Sequence, residues 1–229
     1  MERYVKNYHD RLNTKNKNVR ERLIDLKRDR KVPTSHEKGI LESDILQCAE
    51  KLKKCKRLSS LKWNIYFFKS ELGIENNYPH THWNVIFIPY EYYFTLQEKN
   101  RITLLLHEQI HVYQRMFPIP FNHLLINIHS LKVSSLIESH PSFGKVRANP
   151  DVNNIIYKNP DNTYQIELFN HESRTLADSQ THTFDMLHEP IPDESRNQYE
   201  HPYEEIAYIL SDALYSNNVK LIRKYSAYL

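Results

Sequence analysis

The sequence predicts an α+β fold, mostly helical, with a small β-sheet. Three observations carry this. Apolar residues recur at helical spacing over several stretches, most clearly 40–60, 101–115, 121–138 and 203–214. Two short runs, Lys62–Phe68 and Trp83–Ile88, are instead rich in aromatic and β-branched residues, as strands are. The chain has 229 residues, enough to bury a sizeable core as one domain with an appended arm.

Taken in order, residues 1 to about 32 are charged and helix-compatible, with a sparse stripe at Val19, Leu23, Ile24 and Leu26. The stretch Val32-Pro33-Thr34-Ser35-His36 breaks it. We expect a basic helical arm over 1–39 and the main domain over 40–229. Ile40, Leu41, Ile45, Leu46, Ala49, Leu52 and Cys55 then mark a surface helix. The two strands follow, bounded by Asn76-Asn77-Tyr78-Pro79 and by Pro89. A helical lead-in over 90–99 precedes an amphipathic helix from Arg101 to Arg115, which ends before Pro118 and Pro120. A further helix is expected over 121–138. Turn formers at Asn149-Pro150-Asp151 and Asn159–Asn162 frame Ile155–Tyr157 and Tyr164–Phe169, which read as a hairpin. Residues 171–198 read as loop. Tyr203–Leu214 reads as a helix opened by Pro202, and 217–227 as a last helical segment.

Charge is uneven along the chain. Residues 1–60 carry 17 Lys+Arg against 9 Asp+Glu, a net of +8, while the remainder carries −5. A basic amino-terminal third offers a surface to nucleic acid or to an acidic partner, although a solvated helix face is the simpler reading. No zinc-finger, helix-turn-helix or Gly-rich phosphate-loop pattern supports a nucleic-acid function. Cys48 and Cys55 lie two helical turns apart, too far for a disulfide, and free thiols suit a reducing compartment. Met1–Arg30 has no signal-peptide apolar run. Phe117–Ile137 is interrupted by Asn122, His123, Asn127, His129 and Lys132, so no membrane span is expected and a cytoplasmic location is.

The chemistry lies in His107-Glu108-Gln109-Ile110-His111. Residues four apart on a helix share a face, so both imidazoles point to one side. In this H-E-x-x-H pattern two neutral histidines hold zinc and the glutamate serves as general base on a zinc-activated water. A third protein ligand is then required. The histidine-extended version fails, since Gln114 and Phe117 stand where its glycine and third histidine belong, and the surroundings of Cys48 do not suit an upstream cysteine ligand. The candidate is Glu204 in Pro202-Tyr203-Glu204-Glu205-Ile206-Ala207, where small Ala207 shares its face. Glu205, or a histidine among His171, His182 and His188, is the alternative. His80 and His82 flank a strand, and His123 and His129 do not share a helical face; both pairs read as innocent.

His107–His111 followed at long range by Glu204–Ala207 resembles the zincin metallopeptidases, in the branch with a downstream glutamate ligand (gluzincins). The motifs cover about 30 residues. The resemblance implies a catalytic zinc, a peptide or protein substrate, and a zincin-like domain whose small mixed sheet packs beside the H-E-x-x-H helix. Tyr208 stands where a thermolysin-like pattern has an acid, and Asp212 is the candidate to orient a ligand histidine. Tyr199, Tyr203, His201 and His188 are candidate oxyanion donors, and Trp83–Ile88 the candidate substrate-binding edge. Two further readings stand beside this: a non-enzymatic binding protein that uses the basic arm, and a zincin scaffold without turnover.

Overall fold

A computed structural model of the chain describes residues 30–70, 77–147, 149–170, 179–191 and 199–229. Residues 1–29 of the arm expected over 1–39 lie outside the described residues. Of the rest, 30–124 with 206–229 form one compact unit and 125–205 a second. Among the described residues there are seven α-helices, a mixed four-stranded sheet and two smaller antiparallel sheets, an α+β architecture.

The first unit opens with β1 (Arg30–Lys31), followed by helix α1 (Ser35–Leu52). Thr34 caps α1 by accepting from the Glu37 amide while Glu37 reaches back to the Thr34 amide, a capping box that starts the helix five residues earlier than the apolar stripe suggested. α1 therefore runs through residues 39 and 40. Its buried line is Asp44, Cys48 and Leu52, whereas Leu46 is exposed. The expected 40–60 helix is broken at Lys53–Cys55, after which α2 (Lys56–Ser59) forms a single turn.

Strands β2 (Ile65–Phe68), β3 (His80–His82) and β4 (Val85–Pro89) complete the mixed sheet in the order β1-β2-β4-β3, with β2 parallel to β4 and the other pairs antiparallel. The expectation that Trp83–Ile88 is a sheet edge is corrected: β4 is paired on both sides, which is why Ile86, Phe87 and Ile88 are all buried. The outer strand on that side is β3. Trp83 in the β3–β4 turn has φ 58°, uncommon for a bulky side chain, and Arg115 holds this turn by donating to Thr81 Oγ1 at 3.1 Å and to the Trp83 carbonyl at 3.4 Å.

Helix α3 (Tyr90–Thr95) leads into α4 (Glu98–Met116), which carries the histidine motif and contacts α1, α2, β3 and β4. Sequence spacing suggested an amphipathic helix, but every residue from Leu105 to Gln114 is buried. Its polar residues must therefore find partners inside the protein. The amino-terminal end of α4 is fixed by buried Asp44, which accepts from Arg101 Nε at 2.6 Å and from the Tyr93 hydroxyl at 2.8 Å. Helices α5 (Pro118–His129) and α6 (Pro202–Tyr215) each run across the boundary between units, and α7 (Val219–Tyr225) ends the fold.

In the second unit the helix expected over 121–138 stops at His129. Ser130 turns the chain with φ 56°, and Lys132–Leu136 is strand β5. β5 pairs with β6 (Ile155–Lys158), not β6 with β7 (Tyr164–Phe169) as the hairpin reading had it. β7 pairs instead with β8 (Ser179–Phe184), which pairs in turn with β9 (Pro190–Ile191), so part of the expected 171–198 loop is sheet. Residues 171–178 and 192–198 lie outside the described residues. Val146, Ile156, Tyr164, Ile166 and Phe184 form this unit's core. Turns here favour asparagine: with three glycines in the whole chain, Asn162 takes a left-handed turn position that asparagine tolerates better than most residues.

Candidate metal centre

His107 and His111 project from one side of α4, as four-residue spacing requires. Their rings meet nearly at right angles, 4.6 Å between centroids, and the two Nε2 atoms face each other at 2.9 Å. Glu204 lies in the first turn of α6, and the remaining turns of that helix belong to the unit that contains α4. One ligand atom from each of His107, His111 and Glu204 lies within 4.8 Å of the others, a group able to hold a metal ion.

The donor set fits that role. Two nitrogens bound to one tetrahedral zinc at about 2.0–2.1 Å sit about 3.3 Å apart, so the observed 2.9 Å needs to open by only a few tenths of an ångström. Both histidines are buried, His111 completely.

Further polar and aromatic side chains surround the group. Gln114, a turn beyond His111, lies 2.8 Å from His111 Nδ1 through its Oε1. Asn149 donates from Nδ2 to Glu204 Oε1 at 2.8 Å and also to Glu200, while its Oδ1 accepts from the Asp151 amide at 2.8 Å. That last bond sets the amide orientation, so the NH2 end faces the carboxylates. Arg147 Nη1 donates to Glu200 at 2.8 Å and to Glu167 at 2.7 Å, one positive charge shared by two carboxylates. The Asn149-Pro150-Asp151 stretch reads in sequence as a turn former; its Asx turn is there, and the same asparagine also reaches the Glu204 carboxylate. Tyr208, four residues after Glu204, lays its ring against His107 with centroids 4.4 Å apart. Glu108 is 3 % exposed, on the turn between the two histidines.

The other sequence candidates are placed as follows. Glu205 is outside the three-residue group. His171 lies outside the described residues. His182 sits in β8 opposite Ile166, and His188 in the β8–β9 turn bonds the Tyr164 hydroxyl through Nδ1, so both belong to the second unit's sheet. His201 is committed to the backbone: Nδ1 accepts from the Tyr203 amide at 3.1 Å, and Nε2 donates to the Ile155 carbonyl at 3.2 Å. The Tyr203 hydroxyl accepts from Asn153 at 2.7 Å, and Tyr199 is half-buried just before the helix. Asp212 is exposed. Cys48 and Cys55 are free and buried, and burial pushes their thiols up to about 12 and about 11, which leaves them inert. No helix among the described residues is long and apolar enough to cross a membrane.

The chain matches no protein-family model, no curated protein and no solved structure, so the metal-centre assignment stands on the arrangement of its own side chains.

Proposed function

We propose that this protein is a zinc-dependent hydrolase that cleaves peptide bonds, with His107, His111 and Glu204 as zinc ligands. The observation that carries the reading is the convergence of Glu204 from a distant stretch on the paired histidines of an H-E-x-x-H helix. Two imidazoles and one carboxylate are the protein ligands of thermolysin-type catalytic zinc sites, which keep a further position for water or substrate. When bound, zinc lowers the pKa of a coordinated water and polarises a carbonyl oxygen.

The chain's own residues do the rest. Glu108 follows His107 on α4, and its buried carboxylate serves as general base, taking a proton from the attacking water and returning it to the leaving amine. Asn149 holds the Glu204 carboxylate, and Tyr208 backs the His107 ring against rotation. The same donor set also holds Fe(II) in non-haem oxygenases. The carboxylate of Glu108 beside the histidines, which metal-assisted hydrolysis uses as a base, favours zinc.

Metal analysis followed by activity tests this. Purified protein is expected to contain one zinc, which His107→Ala and Glu204→Ala lose and Glu108→Gln retains. A peptide library is expected to be cleaved by the wild type and left intact by Glu108→Gln. A wild type that takes up no zinc refutes the reading. Zinc without cleavage leaves a metal-bearing scaffold, and salt-sensitive nucleic-acid binding mapped to residues 1–60 would favour the basic arm as the functional surface.

A further inference from the structure

We infer that Gln114 is a positioning residue that selects the metal-binding tautomer of His111; this rests on the zinc reading above. A neutral imidazole carries one N–H and one lone pair, and which nitrogen has which is set by the partner of the other. His111 Nδ1 lies 2.8 Å from Gln114 Oε1, and an amide oxygen can only accept. The proton therefore sits on Nδ1. The lone pair is left on Nε2, the atom that faces His107 Nε2 at 2.9 Å within the three-ligand group.

Burial makes the selection strong. His111 is 0 % and Gln114 1 % exposed, so bulk water has no access to replace the amide oxygen as acceptor. With an apolar side chain at 114, the buried Nδ1–H tautomer would lose this acceptor. The ring would then shift toward the Nε2–H form, in which its lone pair points away from the site. Because Gln114 is one turn beyond His111 on the same helix, the contact is set by α4 alone and exists before any metal arrives. The residue that excludes the histidine-extended motif, by standing where its glycine belongs, thus has a task of its own.

The test compares Gln114→Met, which keeps volume and removes the acceptor, with Gln114→Glu, which keeps an acceptor at the same reach. Ring-nitrogen NMR of the metal-free proteins is expected to find His111 as the Nδ1–H tautomer in the wild type and Gln114→Glu, and shifted toward Nε2–H in Gln114→Met. Zinc affinity, measured by competition with a chelating dye, is expected to fall 10- to 100-fold in Gln114→Met and to be restored in Gln114→Glu. An Nε2–H tautomer in the wild type, or Gln114→Met binding zinc as tightly as the wild type, overturns the inference while leaving zinc binding itself intact. A wild type with no zinc uptake overturns the metal reading, and the positioning role with it.

Discussion

Replacing Asn149 with alanine asks how much the proposed zinc site depends on the bond that holds the Glu204 carboxylate. The Asn149 amide donates to Glu204 Oε1 at 2.8 Å, and the side chain is 8 % exposed, so water replaces it poorly. A hydrogen bond to a charged acceptor contributes about 1.5–3 kcal/mol. If that orientation energy is lost only from the metal-bound state, at about 1.4 kcal/mol per tenfold, zinc affinity drops by roughly 10- to 100-fold. Removal also leaves Glu200 and Glu204 without the amide they share, although Arg147 still pairs with Glu200. Zinc affinity from dye competition at fixed pH, with circular dichroism and a melt of the metal-free protein to confirm folding, measures the effect. A folded Asn149→Ala variant that binds zinc as tightly as the wild type would show that Glu204 needs no external orientation, and the reasoning fails.

Four further predictions follow from other parts of the molecule. Asp44→Ala is expected to destabilise the protein by about 3–5 kcal/mol in chemical denaturation, because it strands the Arg101 guanidinium beside the buried Tyr93 hydroxyl; a loss under 1 kcal/mol would contradict this. Thr34→Ala removes the cap of α1 and is expected to cost about 1 kcal/mol, read by the same method. Burial, with a smaller contribution from His188, pushes His140 down to about 4, against about 6.5 in an unfolded chain. Below pH 6.5 the unfolded state takes up a proton that the native state refuses, so stability falls as pH drops toward 4 and is unaffected above 6.5. The loss is up to about 2 kcal/mol at pH 5, and denaturation of His140→Gln at pH 7 and pH 5 should lack that part of the dependence. Glu108→Gln is expected to abolish peptide cleavage with zinc content unchanged; retained cleavage would assign the base elsewhere.

Local chemistry made much of this molecule readable. The H-E-x-x-H helix, the two aromatic strands, the lead-in helix and the Pro202 helix all follow from periodicity, composition and proline boundaries, which act within a few residues, and the structure has each of them. Glu204 was legible as a candidate because, with the histidine-extended and cysteine versions excluded, a glutamate opening a downstream helix was the remaining common partner for the two histidines. Other features were hidden for physical reasons. Strand pairing is a long-range choice, so β4 as an inner strand and β7 paired with β8 left no mark that alternation alone could reveal. Lys132–Leu136 continued an apolar pattern that helix and strand share over short runs, and the left-handed turn at Ser130 decided between them.

The sequence by itself determined the histidine pair of the candidate metal group, its facing direction and the glutamate beside it, because a helix turns four residues into one face regardless of what surrounds it. Only the tertiary structure decided that this helix is buried on every side rather than amphipathic, that Asp44 lies under it as a salt-bridge partner, and that Asn149 holds Glu204. Such roles depend on which polar groups are shut away from water together, and that is settled by packing between segments far apart in the chain.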